Sequence, residues 1–251
     1  MPNKPTDPNK IGGEDAIEVS GIPSSEDIRQ ELIDSGEDVM LAFSGGKDSL
    51  SAWIAMLNSG MPPERIHPYY MYGIPGLKFV DDMLDRVEQK FQRRIGRYPN
   101  PVFYHWLNYG TYQPPERRAV IRAAKLPNFD YPELIDAIEE DYGLEPGRWR
   151  LDGVRASDSI IRRISIKRHG PMKPHLRKVS PVWDWRISDV RNAIAAFGAE
   201  WPIDYEWFGR SFDGVDYRFL KPIYDNSPED FKIIEEWLPL VSLELIRHDL
   251  K

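Results

Sequence analysis

Ala42-Phe43-Ser44-Gly45-Gly46-Lys47-Asp48-Ser49 is the stretch on which the fold of this chain turns. The apolar run 39–43 leads into it and predicts a strand. Leu50, Trp53, Ile54 and Leu57 follow at i, i+3, i+4 and i+7, the stripe of a helix that covers a sheet. Two glycines between a strand and a helix start let the backbone turn tightly and aim several N–H groups at one point. Those unpaired amides and the positive end of the helix dipole make an anion cradle. Ser44 and Ser49 add hydroxyls, and Lys47 adds a mobile positive charge. The pattern predicts a phosphate site. It differs from the common nucleotide P-loop, because Leu41 stands where that loop has its first glycine and Asp48 where a metal-binding Ser or Thr follows the lysine.

Outward from this stretch, strands alternate with helices. Ser24 and Asp27 resemble a capping box opening a short helix that runs to about Ile33. Residues 66–72 predict a second strand, 73–76 a turn, and Val80, Met83, Leu84, Val87 and Phe91 a helix. Residues 102–106 predict a third strand, 149–154 a fourth and 179–182 a fifth. Leu134, Ile135, Ile138 and Tyr142 mark one more helix, and Ser188 is placed to cap another bearing Val190, Ile194 and Phe197. A terminal helix starts at Pro228, after an irregular aromatic-rich stretch, 201–219. Such alternation predicts a three-layer α/β fold around a mainly parallel, doubly wound sheet, with ligands at the carboxyl ends of the strands. Residues 1–23 read as a flexible arm and 24–200 as the nucleotide-binding domain, with 108–148 an insertion or lid. Residues 201–251 read as a C-terminal extension with the final helix.

Composition narrows the chemistry. The 251 residues include no cysteine, which excludes disulfides, thiolate metal sites and any protein thiol as nucleophile. His67, His105, His169, His175 and His248 show no metal-binding spacing. No apolar run approaches the ~20 residues that cross a bilayer, so no membrane contact and a cytoplasmic location are expected. Net charge is −7, unevenly spread. Residues 155–178 carry eight Lys/Arg against Asp158, a net of +7, which leaves −14 on the remainder. A basic block in an acidic chain points to an anionic ligand, with nucleic acid as one candidate.

Two further constellations echo the first. Gly153-Val154-Arg155-Ala156-Ser157-Asp158-Ser159, with Arg162, is again a strand end in glycine leading into a hydroxyl-bearing helix start; its arginines are suited to bidentate grip of phosphate or sulfate oxygens. Pro181-Val182-Trp183-Asp184-Trp185 with Asp189-Val190 forms the third. Together the three resemble the PP-loop ATP pyrophosphatases. Within them the chain is similar to the branch holding phosphoadenylylsulfate (PAPS) reductases and the small subunit of sulfate adenylyltransferase, over roughly residues 36 to 200.

The resemblance implies that Ser44, Gly45, Gly46, Lys47, Asp48 and Ser49 bind the phosphates of ATP while chemistry occurs at the α-phosphate and pyrophosphate leaves. It implies that Gly153, Arg155 and Arg162 border and bind the distal anion, and that Ala42, Phe43 and Met71 border adenine. Lys47, Ser44 and Arg155 would carry catalysis, and Asp48 would touch Mg²⁺. Trp185 and Asp189 read as packing and helix capping. One departure matters: PAPS reductases attack with a cysteine in a Glu-Cys-Gly-Leu-His element, and these residues supply none. The expectation is therefore adenylyl transfer to sulfate, a nucleobase or another acceptor, with a companion subunit allowed for. The alternative is a nucleotide- or sulfonucleotide-binding module without catalysis that serves a partner protein.

Overall fold

The computed structural model describes residues 17–249. Helix α1, Ser25–Asp34, opens with the expected capping box, Ser24 Oγ accepting from Asp27 N–H and the Asp27 carboxylate from Ser24 N–H. Strand β1, Val39–Ala42, runs into the glycine turn and helix α2, Lys47–Asn58. Strand β2, Ile66–Tyr72, and helix α3, Lys78–Phe91, follow. Next come β3, Gly96–Pro99, then helices α4, Pro101–Asn108, α5, Pro115–Ala124, and α6, Tyr131–Asp141. Strand β4, Trp149–Leu151, leads to α7, Ile160–His169, and to the short strands β5, Met172–Lys173, and β6, Lys178–Val179. Helices α8, Ile187–Phe197, α9, Asp204–Trp207, α10, Tyr217–Asn226, α11, Pro228–Trp237, and α12, Leu243–Asp249, complete the order.

The sheet order is β3-β2-β1-β4-β6-β5, parallel throughout except for the antiparallel edge strand β5. The chain leaves β1 toward β2 on one side and returns later to β4 on the other. The turn after β1 therefore sits at the topological switch point, where such sheets place their ligands. Alternation along β1 divides two cores. Val39, Leu41 and Phe43 join Trp53, Leu84 and Val190 in the larger one, while Met40 joins Leu134, Ile135 and Ile138 in the smaller. Within 108–148, α6 thus covers the second face of the sheet. Of the N-terminal stretch, 1–16 lie outside the described residues; Ile17 donates its N–H to Asp184 O (2.9 Å), and Ile17, Val19 and Ile22 pack on the core.

Several local expectations need correction. Residues 102–106 are helical, because Asn100 Oδ1 accepts from Val102 N–H (3.0 Å) and Pro101 presets the first helical φ. Their β-branched and aromatic composition imitates a strand, whereas β3 lies earlier, on polar residues. The strands expected at 149–154 and 179–182 are shorter, and β5 adds a partner that two residues do not announce. Helix α8 starts one residue before Ser188; Arg186 N–H donates to Asp189 Oδ2 (2.7 Å) there. The stretch 201–219 contains α9 and the start of α10, and the expected terminal helix is two, separated at Leu238. No helix of the described residues is long and apolar enough to cross a membrane.

Candidate nucleotide site

Gly45 adopts φ +73°, and a Cβ there would lie 2.6 Å from Met83 Cε, so this turn requires glycine. Gly46 then caps α2 in extended conformation without a side-chain bond of its own. Ser49 braces the bend: its Oγ donates to Gly46 O (3.0 Å), accepts from Ser44 N–H (3.1 Å) and lies 3.1 Å from Ser44 Oγ. Among the described residues no acceptor meets the backbone N–H groups of Gly45, Lys47, Asp48 or Ser49, and Gly46 N–H has only a long contact to Ser44 Oγ (3.4 Å). Four amides at one helix start, those of Gly45, Lys47, Asp48 and Ser49, therefore keep their donor capacity unspent among the described residues.

The second constellation meets the first directly. A Cβ on Gly153 would fall 2.3 Å from Asp48 C and 2.5 Å from Ser49 N, so the glycine lets the β4 turn press on the first turn of α2. Arg155, 3% exposed, reaches across the junction. Its Nε lies 3.0 Å from Asp48 Oδ1, and its Nη2 donates to Asp158 Oδ1 (2.5 Å). Asp158 also receives Arg162 Nη1, and Asp48 Oδ2 accepts from Lys47 Nζ (2.7 Å). Lys47, Asp48, Arg155, Asp158 and Arg162 so form a chain of alternating charges. Within it Arg155 Nε and Nη1 and Asp48 Oδ1 are buried and lack an aligned hydrogen-bond partner. A buried guanidinium left with spare donors is costly unless a ligand completes it.

The third constellation is structural. Trp183 and Trp185 are buried, Asp184 Oδ2 accepts Ser25 N–H (2.9 Å), and Arg29 Nη1 donates to Pro181 O (2.7 Å). It positions the second constellation, since Ala156 N–H donates to Trp183 O (2.7 Å) and Ser157 Oγ to Trp185 O (2.8 Å).

Beside Ser44 opens a cavity of about 200 Å³ that Ala42, Phe43, Tyr69, Met71, Asn100 and Trp106 help to line. Ala42, Phe43 and Met71 thus share one wall system with the bend, while Gly153, Arg155 and Arg162 stand on its other side. A larger cleft of about 670 Å³ touches the back of the bend at Phe43 and Gly45.

Sequence reasoning misses the residues that cover the bend. Ser211 Oγ lies so close to Gly46 that a Cβ there would come within 2.1 Å of it. Tyr205 OH accepts from Lys47 Nζ (3.2 Å), and Phe212, Asp213 and Gly214 line the smaller cavity. Buried Asp204 anchors this segment by accepting Phe212 N–H (2.7 Å). Burial pushes its carboxyl up to about 6, against the pull of that hydrogen bond. The aromatic density of 201–219 is the one sequence signal of this cover.

Among the described residues no group of three or more His, Asp or Glu side chains could enclose a metal ion. Mg²⁺ bound with a nucleotide needs only one or two carboxylates beside phosphate oxygens. Asp48 is the carboxylate placed at the bend, with Oδ2 on Lys47 Nζ and Oδ1 3.0 Å from Arg155 Nε, so a cation there would take the place of one of these partners.

Fold and site define a mainly parallel three-layer α/β protein with a glycine-containing strand–turn–helix at its switch point. Compared with known proteins, the chain matches no family model and no curated protein.

Proposed function

We propose that the protein binds ATP at the Ser44–Ser49 bend and cleaves its α–β phosphate bond, transferring the adenylyl group and releasing pyrophosphate. The observation that carries this reading is the set of unspent amides at the switch point, with Lys47 and the buried, under-bonded Arg155 beside them. An acceptor oxygen forms the new bond to the α-phosphorus, the α–β bridging bond breaks, and its electrons leave on pyrophosphate. The bend and Lys47 hold the β- and γ-phosphates and stabilise the charge that develops on them. Adenine lies in the cavity bordered by Ala42, Phe43 and Met71, and Arg155 with Arg162 orients the acceptor side. Asp48 would hold Mg²⁺ in place of its bond to Lys47, and the ion would supply neutralisation of the polyphosphate. The 251 residues provide no thiol, so the reading contains no sulfonucleotide reduction. The cytoplasm, which holds ATP and Mg²⁺, is the matching site of action.

A specific observation supports a second reading, a nucleotide-binding module that serves a partner protein without turnover. Lys47 and Arg155 are both engaged by carboxylates of the chain itself, which leaves less positive charge to stabilise a departing pyrophosphate, while the backbone amides remain to hold a nucleotide. Phosphorus NMR of a reaction with ATP and Mg²⁺ separates the two. Pyrophosphate with AMP or an adenylylated product is expected, ADP with phosphate overturns the assignment, and binding without turnover selects the module.

A further inference from the structure

Helix α7 begins directly after the turn that carries Arg155, yet it buries only Ile166. Ile160, Ile161 and Ile164 are 78%, 80% and 59% exposed. At about 100° per residue they share the outward arc with Arg163, Lys167 and Arg168. None of those three cations, nor Lys173 or Lys178 beyond the helix, has a carboxylate partner among the described residues. Between Asp158 and Asp184 the sequence contains no acidic residue at all. The outward face of α7 thus carries exposed cations with isoleucines set among them, and the segment that follows it in the chain adds Lys173 and Lys178 without an intervening acid.

We infer that this surface, the outward face of α7 with the 173–178 edge, docks a polynucleotide and brings its acceptor group to the mouth of the nucleotide cleft. The assignment of an acceptor rests on the proposed ATP chemistry; the docking itself does not. Three observations select this occupant. Protein interfaces gather apolar residues into a core depleted of charge, whereas here cations and isoleucines alternate. Antiparallel pairing of α7 with a second copy would set Arg163, Lys167 and Arg168 against their own equivalents, so self-association through this face is opposed by charge. Polynucleotide binders, by contrast, combine cations on phosphates with apolar wedges, isoleucine included, against sugars and bases. The geometry also links the surface to the site: Arg162, on the first turn of α7, holds Asp158, which holds Arg155. Arg155 and Arg162 are committed to that chain of charges, so the cations left for phosphates are those further along.

The test is fluorescence anisotropy of the full chain, without ATP, with labelled single- and double-stranded DNA and RNA of about 20 nucleotides across about 50 to 200 mM salt. At least one of these should bind with log K falling against log salt at a slope of roughly −3 to −4.5, as four or five phosphate contacts require. Arg163→Gln/Lys167→Gln/Arg168→Gln, all on exposed positions, should flatten the slope by about 2 to 3 and weaken binding more than ~30-fold at low salt. Ile160→Ser/Ile161→Ser/Ile164→Ser should weaken binding about 10-fold with the slope unchanged. Absence of salt-dependent binding to every probe overturns the inference. So does binding untouched by the charge variant, or competition by polyglutamate as effective as that of unlabelled oligonucleotide, which would assign the face to an acidic protein. Because ATP is absent, these outcomes leave the phosphate chemistry to its own test.

Discussion

The turns after β1 and β4 share a plan, glycine at the strand end, hydroxyls and a charged residue, then a helix, but the chain finishes them in opposite ways. After β1 the amides of Gly45, Lys47, Asp48 and Ser49 have no acceptor among the described residues, and a cavity opens beside Ser44. After β4 much of the donor set is taken: Ser159 Oγ caps Arg162 N–H, Asp158 holds Arg155 Nη2 and Arg162, and Gly153 is pressed onto α2, which leaves Arg155 Nη1 unbonded. The difference comes from one internal carboxylate placed three residues after Arg155. A strand–glycine–helix turn is an anion site only where nothing in the chain satisfies it first; otherwise it delivers charge to a neighbour.

This division of labour is most exposed to test at Lys47. Lys47→Ala should lower pyrophosphate release by ~10²–10³ while leaving the fold intact, since the loss of a charge-stabilising donor has that magnitude. Steady-state assay with a thermal melt checks it, and unaltered turnover would remove the β1 turn from the chemistry. Gly153→Ala probes the contact between the turns. A methyl 2.3 Å from backbone atoms of α2 cannot be absorbed by a side-chain shift. Denaturant unfolding should show a loss of about 3 kcal/mol, the upper end for overpacking; a loss below about 1 kcal/mol would mean that the two turns are not locked together.

The cover over the first turn carries a titrating carboxyl. Asp204 has its carboxyl pushed up from 3.8 to about 6 by burial, so its neutral form is favoured in the folded protein. Its contribution is whole below pH 3.8 and is lost as pH rises through about 6. Asp204→Asn keeps an acceptor for Phe212 N–H without the charge. The variant should therefore match the parent in acid and exceed it above pH 6 by about 3 kcal/mol. Unfolding curves on both sides of that range measure this, and a pH-independent difference would contradict it. The smallest effect concerns Asp48, which engages Lys47 and approaches Arg155. Asp48→Asn should tighten metal-free pyrophosphate binding about 10-fold by calorimetry and abolish the gain that Mg²⁺ gives the parent. Weaker metal-free binding would show that Asp48 does not compete with phosphate.

The parts of this account legible in the sequence are those set by neighbours along the chain. The α1 capping box, β2 and the glycine bend each announce themselves within a few residues. Residues 102–106 mislead because aromatic and β-branched side chains suit a strand, while Asn100 and Pro101 decide for a helix locally. Tyr205 and Ser211 carry no local mark of their role: they reach Lys47 and Gly46 from more than 150 residues away, and only tertiary packing brings them there. The engagement of Arg155 is intermediate. Asp158 stands at i+3, a spacing the sequence offers, but whether the pair closes depends on the burial that Gly153 permits.

The most direct test follows the backbone amides themselves. In a ¹⁵N–¹H NMR titration with Mg²⁺ and α,β-methylene-ATP, which resists cleavage between those phosphates, the resonances of Gly45, Gly46, Lys47 and Asp48 should move most. Those of the β4 turn, from Val154 to Ser159, should move less, through the Asp48–Arg155 contact alone. Unmoved resonances at 45–48, or a response centred on the β4 turn, would contradict the assignment of the β1 bend as the phosphate cradle.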